Sequence, residues 1–197
     1  MRTRDENKID ALFDHALTTI VKEGFDGLSM QKLAKAAGVS PATIYIYFKD
    51  RDDLLQQLYQ RETDKFFARV MIGFDPEMDF ATGLTVQWKN RAKYMTEHSN
   101  EAAFMEHFTF TPLHLHASRK KHKVFGEIMH RFVHKAIDNR QLAPMPLEVY
   151  WCVAFAPLYN LVRFHKAGIN MAGQPFTLTD EMLLQTLSLV LKALKPG

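Results

Sequence analysis

Apolar residues recur at helical spacing along nearly the whole chain. Between positions 7 and 23 they fall at every third or fourth residue and form one stripe, made of Ile9, Leu12, Phe13, Ala16, Leu17, Ile20 and Val21. The same spacing predicts further helices at about 30–36, 41–48, 51–70, 80–97, 99–110, 113–139, 147–167 and 179–194. No alternating pattern of useful length indicates a strand. We therefore predict an all-α protein of about nine helices.

The segment Ser29–Phe48 has the pattern of two short helices joined by a tight turn. Ser29 and Ser40 stand where helix N-caps are expected, and Pro41 occupies a first helical position, where its missing N–H costs nothing. Gly38 suits a left-handed turn between the two helices. A rigid glycine turn followed by a short second helix predicts a helix-turn-helix, whose second helix enters the major groove of DNA. The alternative is an ordinary helical hairpin within a core.

The second helix of this motif carries side chains that suit a DNA surface. Hydroxyl groups bond phosphate oxygens, and small apolar groups contact thymine methyls. We expect it to expose Pro41, Ala42, Thr43, Tyr45, Ile46 and Tyr47. Lys49 and Arg51 follow at the start of the next helix, where backbone N–H groups also attract phosphate.

Total charge gives this hypothesis little support. The chain has 25 basic and 22 acidic residues, a formal net charge of +3. Residues 1–65 hold ten Lys or Arg against eleven Asp or Glu, a net of −1. The hypothesis therefore depends on where the basic residues stand, since Lys32, Lys35, Lys49 and Arg51 surround the motif.

The run MQKLAKAAGVSPATIYIYFKDRDDLL, together with the preceding GFDGLSM, resembles the TetR family of bacterial transcription regulators. The resemblance covers about residues 8–60. It implies a DNA-binding domain at 1–49 and an effector-binding and dimerisation domain at 50–197, with 50–70 as the connecting helix. The implied partners are double-stranded operator DNA, a small-molecule effector and a second copy of the chain.

The resemblance also assigns roles within the motif. Thr43, Tyr45, Tyr47 and Lys49 would contact phosphates, while Pro41, Ala42 and Ile46 would lie nearest the base edges. Since none of those three can form a bidentate hydrogen bond, we expect DNA shape or the N-terminal arm to supply further recognition. The predicted DNA-binding residues are Arg2, Arg4, Ser29, Ser40, Pro41, Ala42, Thr43, Tyr45, Ile46, Tyr47 and Lys49.

Aromatic residues crowd the helices that follow the motif. A ligand pocket is concave and mostly apolar, with a few polar groups that orient the ligand, and the resemblance places such a pocket among the middle helices. The candidate lining residues are Trp88, Arg91, Met105, His107, Phe108, Met129, Phe132, Trp151, Phe155 and Tyr159. This composition favours a lipophilic or aromatic effector, although each aromatic residue by itself is more typical of core packing.

The last predicted helix is apolar nearly all round, which indicates burial on more than one side. With the helix at 147–167, it predicts a homodimer interface between two copies of the chain. Two recognition helices about 34–36 Å apart would read a palindrome, and the regulator would more often be a repressor than an activator.

Histidines suggest an alternative within the same class. Seven of the nine lie between His98 and His134, and His130 and His134 share a helix face with Glu127. A metal-sensing regulator is therefore the rival hypothesis, but no third ligand is evident and no HExxH motif occurs, so we predict no metal and no cofactor. The basic run at 119–123 is typical of a solvated face, and otherwise suits DNA phosphate or an acidic ligand.

Other functional classes have little support in the sequence. The single cysteine, Cys152, excludes an internal disulfide and cysteine-rich zinc motifs. No nucleophile elbow, phosphate loop or dinucleotide fingerprint is present, so an enzyme that uses the histidines is the distant alternative. No apolar run approaches the roughly 20 residues of a membrane span, and we expect a cytoplasmic protein that does not enter a membrane.

Overall fold

The computed structural model describes residues 4–114 and 123–197, with side chains at 7–114 and 124–197. Over these residues the chain forms nine α-helices and a 3₁₀ turn at Phe25–Gly27. The helices are α1 (Arg4–Glu23), α2 (Met30–Ala36), α3 (Pro41–Tyr47), α4 (Arg51–Val70), α5 (Phe80–Glu97), α6 (Ser99–Phe108), α7 (Lys123–Asp138), α8 (Leu147–Ala167) and α9 (Asp180–Leu194). The all-α prediction is confirmed. Extended pairing in the described part is limited to a bridge between Ile169 and Pro175.

One predicted helix end needs correction, and one predicted helix lies partly outside the described residues. Helix α6 ends at Phe108 rather than Phe110, because the Thr109 hydroxyl donates to the Glu106 carbonyl at 2.6 Å and the next backbone bonds close tight turns. The helix predicted at 113–139 is described from Lys123 onward. His116 and the basic run from 119 to 122 lie outside the described residues, as does the side chain of Lys123.

The described residues form two compact units. The first contains residues 4–65 and 100–114, so α6 packs with the helix-turn-helix although it lies far along the chain. The ring of Phe108 stacks on that of Tyr59 with centroids 4.3 Å apart. The core of this first unit is apolar and includes Leu12, Phe13, Ala16, Ile20, Leu33, Ile44, Phe48, Leu54, Leu58, Phe104 and Phe108.

The second unit contains residues 66–99 and 123–197. Helices α5, α7, α8 and α9 pack around a core that includes Phe80, Leu84, Trp88, Phe132, Tyr150, Phe155, Leu158, Leu187 and Leu194. Helix α4 begins in the first unit and its last residues belong to the second. None of the described helices is long and apolar enough to cross a membrane.

Candidate nucleic-acid interface and a buried arginine cage

Both helices of the motif begin at a capping serine. The Ser29 hydroxyl accepts a hydrogen bond from the Lys32 backbone N–H, and the Ser40 hydroxyl accepts one from the Thr43 N–H, each at 3.2 Å. Each serine therefore satisfies an N–H group that the first helical turn leaves without a partner. The two predicted N-caps are confirmed as structural elements.

The turn between α2 and α3 is a Schellman motif centred on Gly38. Its φ is +65°, the left-handed region that favours glycine. The Val39 N–H donates to the Ala34 carbonyl at 3.0 Å, and the Gly38 N–H donates to the Lys35 carbonyl at 3.3 Å. Ala34 is buried and Val39 packs against the same core. Backbone bonds and apolar contacts thus fix the angle of α3 relative to α2.

Helix α3 is anchored on one side and open on the other. Ile44 is fully buried, whereas Ile46 has 76% of its surface exposed and Tyr45 is also exposed. Pro41 and Ala42 are exposed as expected, and Thr43 is half-buried. Tyr47 was expected on the open face, but it is half-buried because its ring lies edge-on to that of Phe48, with centroids 6.5 Å apart.

The junction between α3 and α4 contains two basic residues, Lys49 and Arg51, for which the sequence suggested the same contact with phosphate. Lys49 presents an exposed side chain, and its backbone N–H donates to Asp53 Oδ2 at 2.9 Å. Arg51 instead turns back towards the 3₁₀ turn, where its guanidinium donates to the carbonyls of Leu28, at 3.0 Å, and Phe25. The expectation that Arg51 offers its charge to phosphate therefore needs correction, because that charge binds the fold together.

A second basic residue of the motif, Lys32, also forms contacts within the fold. Lys32 Nζ lies 3.3 Å from Glu23 Oε2 and 3.2 Å from the Gly27 carbonyl. Lys35 and Lys49 remain as exposed positive charges on the motif. Arg2 lies outside the described residues, and so does the side chain of Arg4.

In the second unit, Arg91 lies inside a cage of aromatic rings. Its guanidinium carbon is 4.5 Å from the ring centroid of Phe155, 5.2 Å from that of Phe66 and 5.3 Å from that of Trp151. These distances are in the range of cation–π attraction. Nη1 donates to the Tyr159 hydroxyl at 3.0 Å, and Nη2 donates to Gln87 Oε1 at 3.2 Å.

Two buried polar atoms in this region have no hydrogen-bond partner among the described residues, Arg91 Nε and the Tyr150 hydroxyl. Burial raises the pKa of the Tyr150 hydroxyl, and the charge of Arg91 acts in the opposite direction.

The structure divides the ten predicted pocket residues into separate groups. Arg91, Trp151, Phe155 and Tyr159 form the cage. Trp88 is fully buried and donates from Nε1 to the Ala154 carbonyl at 2.8 Å. Met129 and Phe132 belong to the core of the second unit, whereas α6 holds Met105, His107 and Phe108 in the first unit, with His107 exposed.

Two residues that contact Arg91, Phe66 and Gln87, were not among the pocket residues predicted from the sequence. Gln87 lies four residues before Arg91 on α5, so helical spacing alone could have paired them. Phe66 belongs to α4, and its approach to Arg91 depends on how α4 and α5 pack together.

The paired histidines lie on the surface of α7. The rings of His130 and His134 have centroids 3.9 Å apart, and both side chains are exposed. The described residues contain no group of three side chains positioned to hold a metal ion.

Helix α9 is buried on one side within the chain, through Leu183, Leu187, Val190 and Leu194. Large apolar side chains on α8 and α9 remain exposed, namely Leu147, Val149, Trp151, Met182, Leu184 and Leu189. Burial of α9 on a further side was expected from a second copy of the chain, and it stays a prediction.

Comparisons with known proteins agree with this architecture. Residues 12–58 match the family described as bacterial regulatory proteins, tetR family. An uncharacterized HTH-type transcriptional regulator of Haemophilus influenzae is 31% identical over 112 residues, which are 57% of this chain and 60% of that protein. The match thus spans less than two thirds of that relative's length.

Two solved structures resemble the whole chain. A TetR family transcription regulator from Marinobacter aquaeolei VT8 is 26% identical, with 100% of both chains covered and a TM-score of 0.85. A transcriptional regulator of the TetR family from Vibrio parahaemolyticus is 25% identical over 96% of this chain and 100% of that one, with a TM-score of 0.79.

Fold and motif together define an all-helical protein with an N-terminal helix-turn-helix, a class of regulatory proteins rather than enzymes. The segment matched by the family lies within the residues that carry the resemblance, and the structural likeness extends to the remaining helices. The chain is therefore similar to TetR family regulators, through a sequence match at residues 12–58 and a structural likeness over its whole length.

Proposed function

We propose that this chain represses transcription by binding a palindromic operator as a homodimer, and that a small lipophilic or aromatic effector controls this binding. The observation that carries the proposal is the open face of α3, held by capped helices and a hydrogen-bonded turn. Among the described residues, neither Ile46 nor Tyr45 belongs to the core of the first unit, whereas a major-groove surface uses both residue types.

Each residue of that face has a proposed partner on DNA. Pro41, Ala42 and Ile46 supply apolar contacts to base edges, and Tyr45 donates its hydroxyl to a phosphate. The exposed Lys49 lies just beyond α3 and pairs with a phosphate further along the backbone. Thr43 and Tyr47, which are half-buried, would contribute through their hydroxyl groups. Ser29 and Ser40 serve mainly as caps, and the arm that carries Arg2 and Arg4 adds contacts outside the motif.

The domain assignment remains part of the proposal. Residues 1–49 bind DNA, 50–197 bind the effector and dimerise, and 50–70 form the connecting helix. The compact units follow a different boundary, because α6 packs on Tyr59 within the first unit. Since α4 contributes residues to both units, it is the element through which effector binding would act on the motif.

The exposed apolar side chains of α8 and α9 support the dimer. A terminal helix with leucines on its free flanks is typical of a surface that a second copy covers. A dimer also supplies two recognition helices for successive major grooves. Since operator DNA lies in the bacterial cytoplasm, the proposal implies the same location for this protein.

Effector control requires a difference in free energy between two conformations. A ligand shifts their populations only if it binds one more tightly than the other, and a few kcal/mol change occupancy greatly. The proposed effector binds among α4, α5 and α8, where the aromatic cage lies. The bound conformation has lower operator affinity.

Fluorescence anisotropy tests the DNA-binding part of the proposal, with a labelled duplex taken from upstream of the protein's own gene. Wild-type protein should bind this duplex in preference to unrelated DNA. Ile46→Glu places a negative charge on the open face and should weaken binding at least 100-fold. Ile72→Glu is the matched control, because Ile72 is also an exposed isoleucine but lies outside the motif. Equal affinity of wild type and Ile46→Glu would exclude the assigned face.

A metal-sensing regulator is the second candidate, favoured by the proximity of the His130 and His134 rings. The same anisotropy titration, repeated with added zinc and with a chelator, distinguishes it. Zinc-dependent operator affinity that disappears in His134→Ala would support the metal sensor. Identical curves under both conditions would favour the organic effector.

A further inference from the structure

The strongest unassigned feature is the environment of Arg91. Only 1% of this residue is exposed, so its positive charge has been removed almost entirely from water. Removing a charge from water is costly unless an opposite charge or strong hydrogen bonds replace the lost hydration. Arginines in this position therefore normally have a carboxylate beside them.

Among the described residues Arg91 forms no ion pair, and the buried carboxylate of Glu62 pairs with Arg61 and Lys65 instead. Its hydrogen-bond acceptors are neutral, namely the Tyr159 hydroxyl and the Gln87 amide oxygen. The surrounding rings attract the cation through their faces but carry no charge. Nε remains without an acceptor although it is buried. The site thus lacks one negative charge and one hydrogen-bond acceptor.

The fixed orientation of the guanidinium shows that the site is built rather than incidental. Gln87 accepts from Nη2 while its own amide donates to the Val70 carbonyl at 3.0 Å, so the glutamine is held from both ends. Tyr159 holds Nη1 on the opposite side. The Nε–H group of Arg91 has no hydrogen-bond acceptor among the described residues.

One wall of the cage reaches the surface. Trp151 is 37% exposed, whereas Phe155 is fully buried. The indole lies against Phe155, with ring centroids 4.7 Å apart. The Trp151 indole is therefore the part of the cage wall that lies at the surface of the chain.

We propose that Arg91 binds the carboxylate of a small effector whose remaining body is apolar. The carboxylate accepts a hydrogen bond from Nε and supplies the missing negative charge, and the apolar body packs against the aromatic rings. The Tyr150 hydroxyl, also buried and without an acceptor, is the second donor for that head group. This inference rests on the proposed function, because it defines the chemical class of the proposed effector.

The single positive charge of Arg91 indicates how many negative charges the ligand carries. The cage holds one cation, so a monocarboxylate leaves no net charge behind. A phosphate ester or a dicarboxylate would bring a second negative charge with no partner in the described cage. The ligand class is therefore an alkyl or aryl monocarboxylic acid in its ionised form.

Matched pairs of ligands test this proposal. The probes are straight-chain carboxylates of six to sixteen carbons and 4-butylbenzoate, each compared with its own neutral primary amide. Tryptophan fluorescence reports binding, because Trp151 and Trp88 are the two tryptophans of the chain and Trp151 contacts the cage. At least one carboxylate should bind at least ten-fold more tightly than its amide.

Variants test whether Arg91 is responsible for tighter binding of a carboxylate than of its amide. Arg91→Met removes the charge but keeps an apolar side chain of similar length, and it should abolish the preference for carboxylate over amide. The same variant should raise the unfolding midpoint of the ligand-free protein, because an unpaired buried charge is replaced by a hydrophobic group. Arg69→Met is the control, since it removes an exposed arginine from the same unit and should leave the preference unchanged.

The outcomes separate this inference from the proposed function, since ligand binding is measured without DNA. If no carboxylate in the series binds more tightly than its amide, or if Arg91→Met retains the preference, the inference is wrong. Carboxylate binding without any operator binding would instead contradict the proposed function and leave the ligand class intact.

Discussion

At the residue scale, two glycines show opposite reasons for the absence of a side chain. Gly38 adopts a left-handed conformation within the motif, and its surroundings are open. Gly83 lies in the first turn of α5, and a Cβ atom there would lie 2.4 Å from Cε2 of Phe132. The first requirement can be read from the local sequence. The second depends on how closely α7 approaches α5, which no local pattern contains.

Gly83→Ala is therefore expected to destabilise the protein. The added methyl group overlaps the Phe132 ring, and overpacking of this kind costs about 1–3 kcal/mol. Gly126→Ala is the matched control on α7, where a Cβ atom would meet nothing within 4 Å. It should stabilise by about 0.5–1 kcal/mol through helix propensity. Urea denaturation at one protein concentration measures both, and a stabilising Gly83→Ala would contradict the close approach.

At the element scale, the ends of helices were the most predictable part of the candidate interface. The caps at Ser29 and Ser40 and the turn at Gly38 depend on residues three or four positions apart, and the structure confirms each of them. The role of Arg51 was not predictable in this way, because its acceptors, Phe25 and Leu28, lie 26 and 23 residues earlier. For the same reason, the candidate pocket residues on α6 were grouped with those on α5 and α8, although α6 packs in the other unit.

The junction of α3 and α4 gives a paired prediction. Arg51→Met removes two charge-assisted hydrogen bonds to carbonyl groups and should lower the free energy of unfolding by about 1.5–3 kcal/mol. Lys49→Ala should change it by no more than about 0.5 kcal/mol, because its side chain is exposed.

DNA binding should be affected by Lys49→Ala through loss of a phosphate contact, whereas Arg51→Met should affect mainly stability. Loss of one phosphate contact in Lys49→Ala reduces the slope of log affinity against log salt by about 0.9. Anisotropy titrations at several salt concentrations measure this slope, with Arg51→Met compared under conditions in which it is folded. A slope that Lys49→Ala leaves unchanged would remove Lys49 from the phosphate contacts.

At the scale of the whole molecule, the chain has an apolar face that its own core does not cover. The sequence analysis predicted that a second copy of the chain covers this face, although burial within one chain gives the same apolar pattern. Because leucines of α8 and α9 are exposed in the single chain, we expect a second copy of the chain to bury them. Two recognition helices, and hence palindromic DNA binding, depend on the answer.

Leu189→Lys is expected to give a monomer. Leu189 is 61% exposed on α9, and a lysine there would place a charge within the proposed interface. Val124→Lys is the control, since Val124 is 67% exposed on α7, outside the two proposed interface helices. Analytical ultracentrifugation should show a dimer for wild type and Val124→Lys and a monomer for Leu189→Lys. A Leu189→Lys protein that remains dimeric would place the interface elsewhere.

The most direct measurement for the account as a whole is selection of bound sequences from a random pool of duplex DNA, which requires no knowledge of the operator. A homodimer with two recognition helices should enrich an inverted repeat whose half-sites are separated by about one helical turn, roughly 34–36 Å. The same selection with Ile46→Glu should enrich nothing. Failure of the wild-type protein to enrich any sequence, or enrichment of a single half-site without its inverted partner, would contradict the account.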